Sequence, residues 1–180
     1  MTDSAADELL PLPPAAGHGS TRSAGVAARA RSYDAVALVL RLALGSVILP
    51  HGAGKVLGMF GGRGLEGTIV AFREGLGLPA VVAILVAVAE FCGALGLLAG
   101  LLTRLSGLGI GAVMVGAILL RHAQHGFFMN WRGDQAGEGV EYHLLVLGLA
   151  LGLALGGGGA WSLDARLARW RRRLVSGGAA

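Results

Sequence analysis

A handful of ionisable residues stand inside or at the edges of long apolar runs, where charge is costly and each such group is a candidate for function. Arg41 and Glu90 lie deep in two different runs. At 1.5 Å of rise per residue each is about 17–20 Å from the predicted outer end of its segment, close to mid-membrane. Similar depth on adjacent antiparallel helices predicts that they are partners, either as an ion pair fixing the helices or as a pair that handles a proton or a ligand. A second group collects at one predicted boundary. His51 and Lys55 are spaced i,i+4 at the end of the first run, and His122 and His125 are spaced i,i+3 after the third. Glu141 and His143 open the fourth. Lys, Arg and His are suitable hydrogen-bond donors to the carbonyls of a quinone head group. His122, His125 and Glu141 have the composition of a two-histidine, one-carboxylate metal site. The same residues can also simply satisfy one another and water at an interface. Glu141 and His143, two apart, point to different helix faces. Cys92, a single cysteine in an apolar run, reads as a small hydrophobe and excludes an internal disulfide or a paired-thiol redox motif.

The elements that must hold these residues are helices in a bilayer. The chain has 180 residues, 54% hydrophobic and only 14% charged, against about 25% charged in ordinary soluble domains. Mean hydropathy is +0.66, and 32 glycines follow no collagen period. That composition excludes a soluble enzyme, a disulfide scaffold and a disordered chain. Four apolar stretches run over about 35–54, 79–102, 105–120 and 140–159. Three fit the ~20 residues a spanning helix needs, and the third reaches that length with Arg104 and Arg121 snorkelling at its ends. No polar stripe marks them as soluble helices. The fold class is therefore all-α: a polytopic four-transmembrane-helix bundle at 35–160, in contact with the lipid bilayer.

The flanks are polar. Residues 1–34 carry three prolines and mixed charge with no apolar core of a signal peptide, and read as a disordered tail. In 161–180, Ser162 is placed to cap a helix and Asp164 falls in its first turn. Leu163, Leu167, Trp170 and Leu174 then share one face, with five arginines largely elsewhere. This pattern predicts an interfacial amphipathic helix on an anionic leaflet. Outside the runs, nine Lys/Arg fall on the side of the two termini and five on the side of the two long loops. The asymmetry predicts that both termini are cytoplasmic. It also explains the pI near 10.2 without a nucleic-acid partner. GxxxG spacings at Gly96/Gly100, Gly107/Gly111 and Gly148/Gly152 serve close helix packing, within the bundle or across a homo-oligomer face. No Walker, G-x-S-x-G, H-E-x-x-H or zinc spacing is present.

Arg41-Leu-Ala-Leu-Gly45, His51-Gly-Ala-Gly-Lys55 and Met59-Phe-Gly-Gly62 resemble the first helix and loop of the DoxX family. Glu90 with Gly93, and Gly100-Leu-Leu-Thr-Arg104, resemble its second helix. Gly126-Phe-Phe-Met-Asn130, Glu141 and Trp161-Ser-Leu-Asp164 resemble its closing motifs. The likeness covers about 35–167. It implies a four-helix, multi-pass protein of the bacterial inner membrane. It also implies a link to oxidoreductase systems, as a membrane subunit acting with soluble redox proteins on a quinone or another small redox ligand. Without paired cysteines, thiol chemistry here would need a partner or a bound cofactor. The favoured site comprises Arg41, His51, Lys55, Glu90, His122 and Glu141, with Glu90 or Glu141 moving protons. The competing reading is a non-enzymatic scaffold or small-solute carrier.

Overall fold

The computed structural model describes residues 18–177, and among them every regular element is helical. They are α1 (His18–Leu57), α2 (Gly64–Leu76), α3 (Ala80–Ala99), α4 (Thr103–Ala117), α5 (Glu141–Gly156) and α6 (Leu163–Gly177). A π turn, Ile118–His122, and a 3₁₀ turn, Ala123–His125, prolong α4. The chain divides into two compact units after Ser32. The described part of the first is the start of α1, where the Ser32 hydroxyl donates to the Ala28 carbonyl at 3.1 Å. The polar tail read as disordered is thus helical from His18 onward, and its first 17 residues lie outside the described ones.

The second unit holds the bundle. Three segments are long and apolar enough to cross a membrane: Ala28–Leu57, Ala80–Ala99 and Thr103–His125. α5, the remaining expected span, is apolar but shorter, with 16 residues. Large apolar side chains such as Val39, Leu85, Leu105, Leu145 and Leu155 point outward, as lipid-facing residues do.

Local sequence sets the ends. Pro79, in extended conformation, precedes α3, and Gly100 at φ 69° ends it in the left-handed conformation glycine adopts freely. Leu101 then donates back to the Gly96 carbonyl at 2.8 Å. Leu102 is left-handed without being glycine, φ 51°. The Asp164 carboxylate fixes that turn by accepting from Leu102 N–H at 2.7 Å and Thr103 N–H at 2.9 Å. Asp164 thereby caps α4, while Ser162 caps its own helix α6, accepting from Ala165 N–H at 3.1 Å.

Arg41 belongs to this same end. Its guanidinium donates to the carbonyls of Leu97 (2.9 Å), Leu98 (3.3 Å), Gly158 (2.9 Å) and Trp161 (3.1 Å). Two of those carbonyls are in the last turn of α3, where intrahelical donors run out; Leu97 also accepts from Gly100 N–H at 3.1 Å. The expected Arg41–Glu90 pair does not form. α1 continues to Leu57 rather than stopping at Gly54, so Arg41 sits level with the end of α3 instead of its middle.

The core combines Leu44 and Ile48 of α1, Ala94 and Leu97 of α3, Ile110 and Met114 of α4, and Val146, Ala150 and Leu153 of α5. Small residues let the backbones approach, as in membrane bundles generally. A Cβ on Gly52 would lie 2.5 Å from Phe91 N, and one on Gly107 2.7 Å from the Ala150 carbonyl oxygen.

Candidate functional site

At the end opposite Arg41, a cavity of about 1260 Å³ opens between α2, α3 and α4 and is closed on one side by the polar end of α1 and the polar start of α5. Its walls are mostly apolar: Phe72 of α2, Val82, Leu85, Val86 and Ala89 of α3, and Ala112, Val113 and Leu120 of α4 and its π turn. The polar part includes His51, Lys55, Glu90, His122, Tyr142 and His143, with Arg63, Glu74, Arg121 and Glu138 also on the lining.

Glu90, midway along α3, is 4% exposed. A buried carboxylate needs a counter-charge. Lys55 supplies it, with Nζ 2.5 Å from Glu90 Oε2. The close passage of α1 over α3 at Gly52 brings the two within reach. The Lys55 carbonyl also accepts from the Thr68 hydroxyl of α2 at 3.2 Å, which ties that helix to the same point. A second, smaller cavity, about 430 Å³, lies on the loop side, between Pro50 and the Phe60–Arg63 turn. His51, Lys55 and Arg63 line both cavities.

The other side of the polar wall is aromatic. The rings of His122 and His143 stack with centroids 3.9 Å apart, and Tyr142 meets His143 edge-on at 5.3 Å. His51 lies 6.1 Å from Tyr142, ring to ring. The π turn matters here: its i,i+5 bond, Ala123 N–H to the Ile118 carbonyl, inserts an extra residue into the helix and delivers His122 to α5. His122 Nδ1 is 2.8 Å from the Glu138 carbonyl oxygen. Two side-chain atoms in this wall are buried without any partner, the Tyr142 hydroxyl and His143 Nδ1. Buried polar atoms are rarely left unpaired, so the Tyr142 hydroxyl stands as an unmet hydrogen-bonding group in the wall of the cavity, while the His143 ring also meets the backbone of Gly139.

Of the residues singled out from sequence, the structure gathers His51, Lys55, Glu90 and His122 on one cavity. Arg41 is at the far end of the bundle. Glu141 turns instead to the 126–140 loop, accepting from Met129 N–H at 3.2 Å, and His125 packs against Gly137. His122, His125 and Glu141 therefore do not converge. Among the described residues no three His, Cys, Asp or Glu side chains are arranged to hold a metal. Tyr142 was missed. The sequence did hold a signal: His143, Val146, Ala150 and Leu153 repeat at helical spacing and are all buried, which sets the start of α5 against the cavity.

Comparison with known proteins agrees with this architecture. A model of the DoxX family matches residues 36–123. The Bacillus subtilis (strain 168) protein named "Putative oxidoreductase CatD" is 31% identical over 134 residues, covering 74% of this chain and 88% of that protein. The chain belongs to the DoxX family. The DoxX match includes Arg41, His51, Lys55, Glu90 and His122 and stops before Tyr142 and His143. No solved structure matches this DoxX protein.

Proposed function

We propose that this protein is the membrane subunit of an oxidoreductase system and binds a quinone or similar lipophilic redox ligand in the larger cavity. The observation that carries the reading is the unpartnered, buried Tyr142 hydroxyl in the polar wall of a mostly apolar cavity of about 1260 Å³. Ligand sites have this composition: mostly apolar walls with a few polar atoms that fix orientation. A quinone, when bound, supplies the two-electron, two-proton chemistry. The Tyr142 hydroxyl donates to a head-group carbonyl and holds the ring in register. His143 offers a second hydrogen bond on the same side. The Lys55–Glu90 pair stands where a proton must pass between the cavity and the loop side, and the apolar walls exclude water from the ring. The name of the Bacillus subtilis relative points to the same class of chemistry. With both termini cytoplasmic, the cavity belongs to the outer half of a bacterial inner membrane.

The test is chemical identification of what the protein carries. Protein purified in mild detergent is extracted, and its lipophiles are identified by mass spectrometry alongside a visible spectrum. The expected result is a quinone-class molecule bound near stoichiometrically, and depleted in Tyr142→Phe. An empty protein that also fails to bind an added short-chain quinone overturns the reading and leaves a scaffold or solute carrier.

A further inference from the structure

The Arg-rich helix α6 plays no part in the cavity, and it leaves the bundle from a fixed point. Asp164 N–H donates to the Gly100 carbonyl at 2.9 Å, and its carboxylate holds the first N–H groups of α4. The helix thus starts level with the ends of α3 and α4, where the apolar spans stop. From Arg166 to Gly177 every residue is exposed. Leu163, Leu167, Trp170 and Leu174 are 37–58% exposed. At about 100° per residue these four fall within an arc of about 60°. Arg166 and Arg173 flank one side of that stripe and Arg171 the other. In water an apolar stripe this exposed gains nothing. Laid in a head-group layer, it is buried while the flanking guanidinium groups reach phosphates.

We propose that α6 docks on an anionic phospholipid surface, with the Leu163/Leu167/Trp170/Leu174 stripe among the acyl chains and Arg166, Arg171 and Arg173 on the lipid phosphates. Three observations favour a lipid surface over a soluble protein. The start of α6 is held at the level of the span ends, the stripe is bordered by cations on both sides, and the only acid in the helix, Asp164, is already engaged with α4. The inference is independent of any ligand in the cavity.

The experiment uses the full chain carrying Trp131→Phe and Trp161→Phe, so that Trp170 is the only tryptophan of the original three. It is reconstituted in nanodiscs of phosphatidylcholine alone or mixed with phosphatidylglycerol. With phosphatidylglycerol, Trp170 emission should shift to the blue and be quenched by brominated acyl chains. Added salt should weaken both. Neutralising Arg166, Arg171 and Arg173 to Gln should reduce docking by roughly fivefold per arginine. Water-like Trp170 emission in both lipids overturns the proposal. So does equal burial in both, or full docking of the triple-Gln protein with its thermal unfolding unchanged. Protection of Trp170 only on addition of soluble cell proteins would assign the face to a protein partner and overturn it as well.

Discussion

Lys55 Nζ lies 2.5 Å from Glu90 Oε2, so the buried acid of α3 is answered from the last turn of α1. Lys55 retains about a quarter of its side-chain exposure while Glu90 retains 5%. Removing the cation leaves a buried carboxylate, and removing the acid leaves a cation that can turn toward the loop-side cavity. Lys55→Met should therefore cost more than Glu90→Gln, on the order of 2–3 kcal/mol against about 1 kcal/mol. The double variant should cost clearly less than the sum, because the two touch. Thermal unfolding in one detergent across the four proteins measures this, and additive losses would show that the contact carries no coupling.

Arg41 donates to four carbonyls from two separate segments. Arg41→Leu should lower stability by about 3 kcal/mol, since hydrogen bonds from charged groups contribute more than neutral ones and several carbonyls lose their donor. Arg41→Lys should recover only part of this, because an ammonium on a flexible stem cannot reproduce the fork. Melting temperatures and accumulation in cells report the order wild type, Lys, Leu. A fully restored Lys variant contradicts the geometry.

Tyr142→Phe removes a hydroxyl that has no partner, so stability should change by less than about 0.5 kcal/mol. Ligand retention should fall by about tenfold, the equivalent of one hydrogen bond. Isothermal titration with a short-chain quinone, run beside a melting curve, separates the two effects. Unchanged affinity would remove Tyr142 from the site.

Two glycines inside helices should differ sharply. Gly52→Ala places a methyl group against the Glu90–Phe91 backbone, whereas Gly148 has nothing within 4 Å. Gly52→Ala should cost several kcal/mol or abolish accumulation, consistent with overpacking of a rigid contact. Gly148→Ala should be neutral or stabilise by up to about 1 kcal/mol through its better helix propensity. Equal effects would mean that α1 and α3 can part more easily than their packing indicates.

The proposed orientation predicts labelling from opposite sides. In a Cys92→Ala background, Asp134→Cys in the loop before α5 should react with an impermeant maleimide on intact cells. Arg173→Cys on α6 should react only after lysis. The reverse pattern inverts the bundle.

The helices were legible because in a bilayer composition alone decides what can span, and the apolar runs around Ala80–Ala99 and Ala35–Gly54 leave no other solution. Ser162 was also legible, since capping is local. The partners of charged residues were not. Glu90 is nearer in sequence depth to Arg41, but the crossing of α1 and α3 at Gly52 and the reach of the Lys55 stem decide the pairing. His122 was recognisable as a candidate, but its stacking on His143 depends on a π turn that breaks the helical period. Asp164 reads from sequence as a first-turn acid of α6, and only the fold shows that it serves α4. The family motifs around Arg41, Gly100–Arg104 and Trp161–Asp164, of which Arg41 was a site candidate, converge on a structural knot.

That knot bears on how the protein is made. Two of the carbonyls that hold Arg41 lie 117 and 120 residues downstream of it. During synthesis α1 enters the membrane long before Gly158 and Trp161 leave the ribosome, and Arg41 must wait with its charge only partly answered. Level with the last turn of α3, it stands near one end of the bundle rather than at its middle. Insertion of α1 and completion of the bundle are then separate events, and the second cannot occur until the last apolar helix has been delivered. A chain released before Gly158 would leave Arg41 only the α3 carbonyls, which gives the cell's quality control a basis for distinguishing unfinished copies from finished ones.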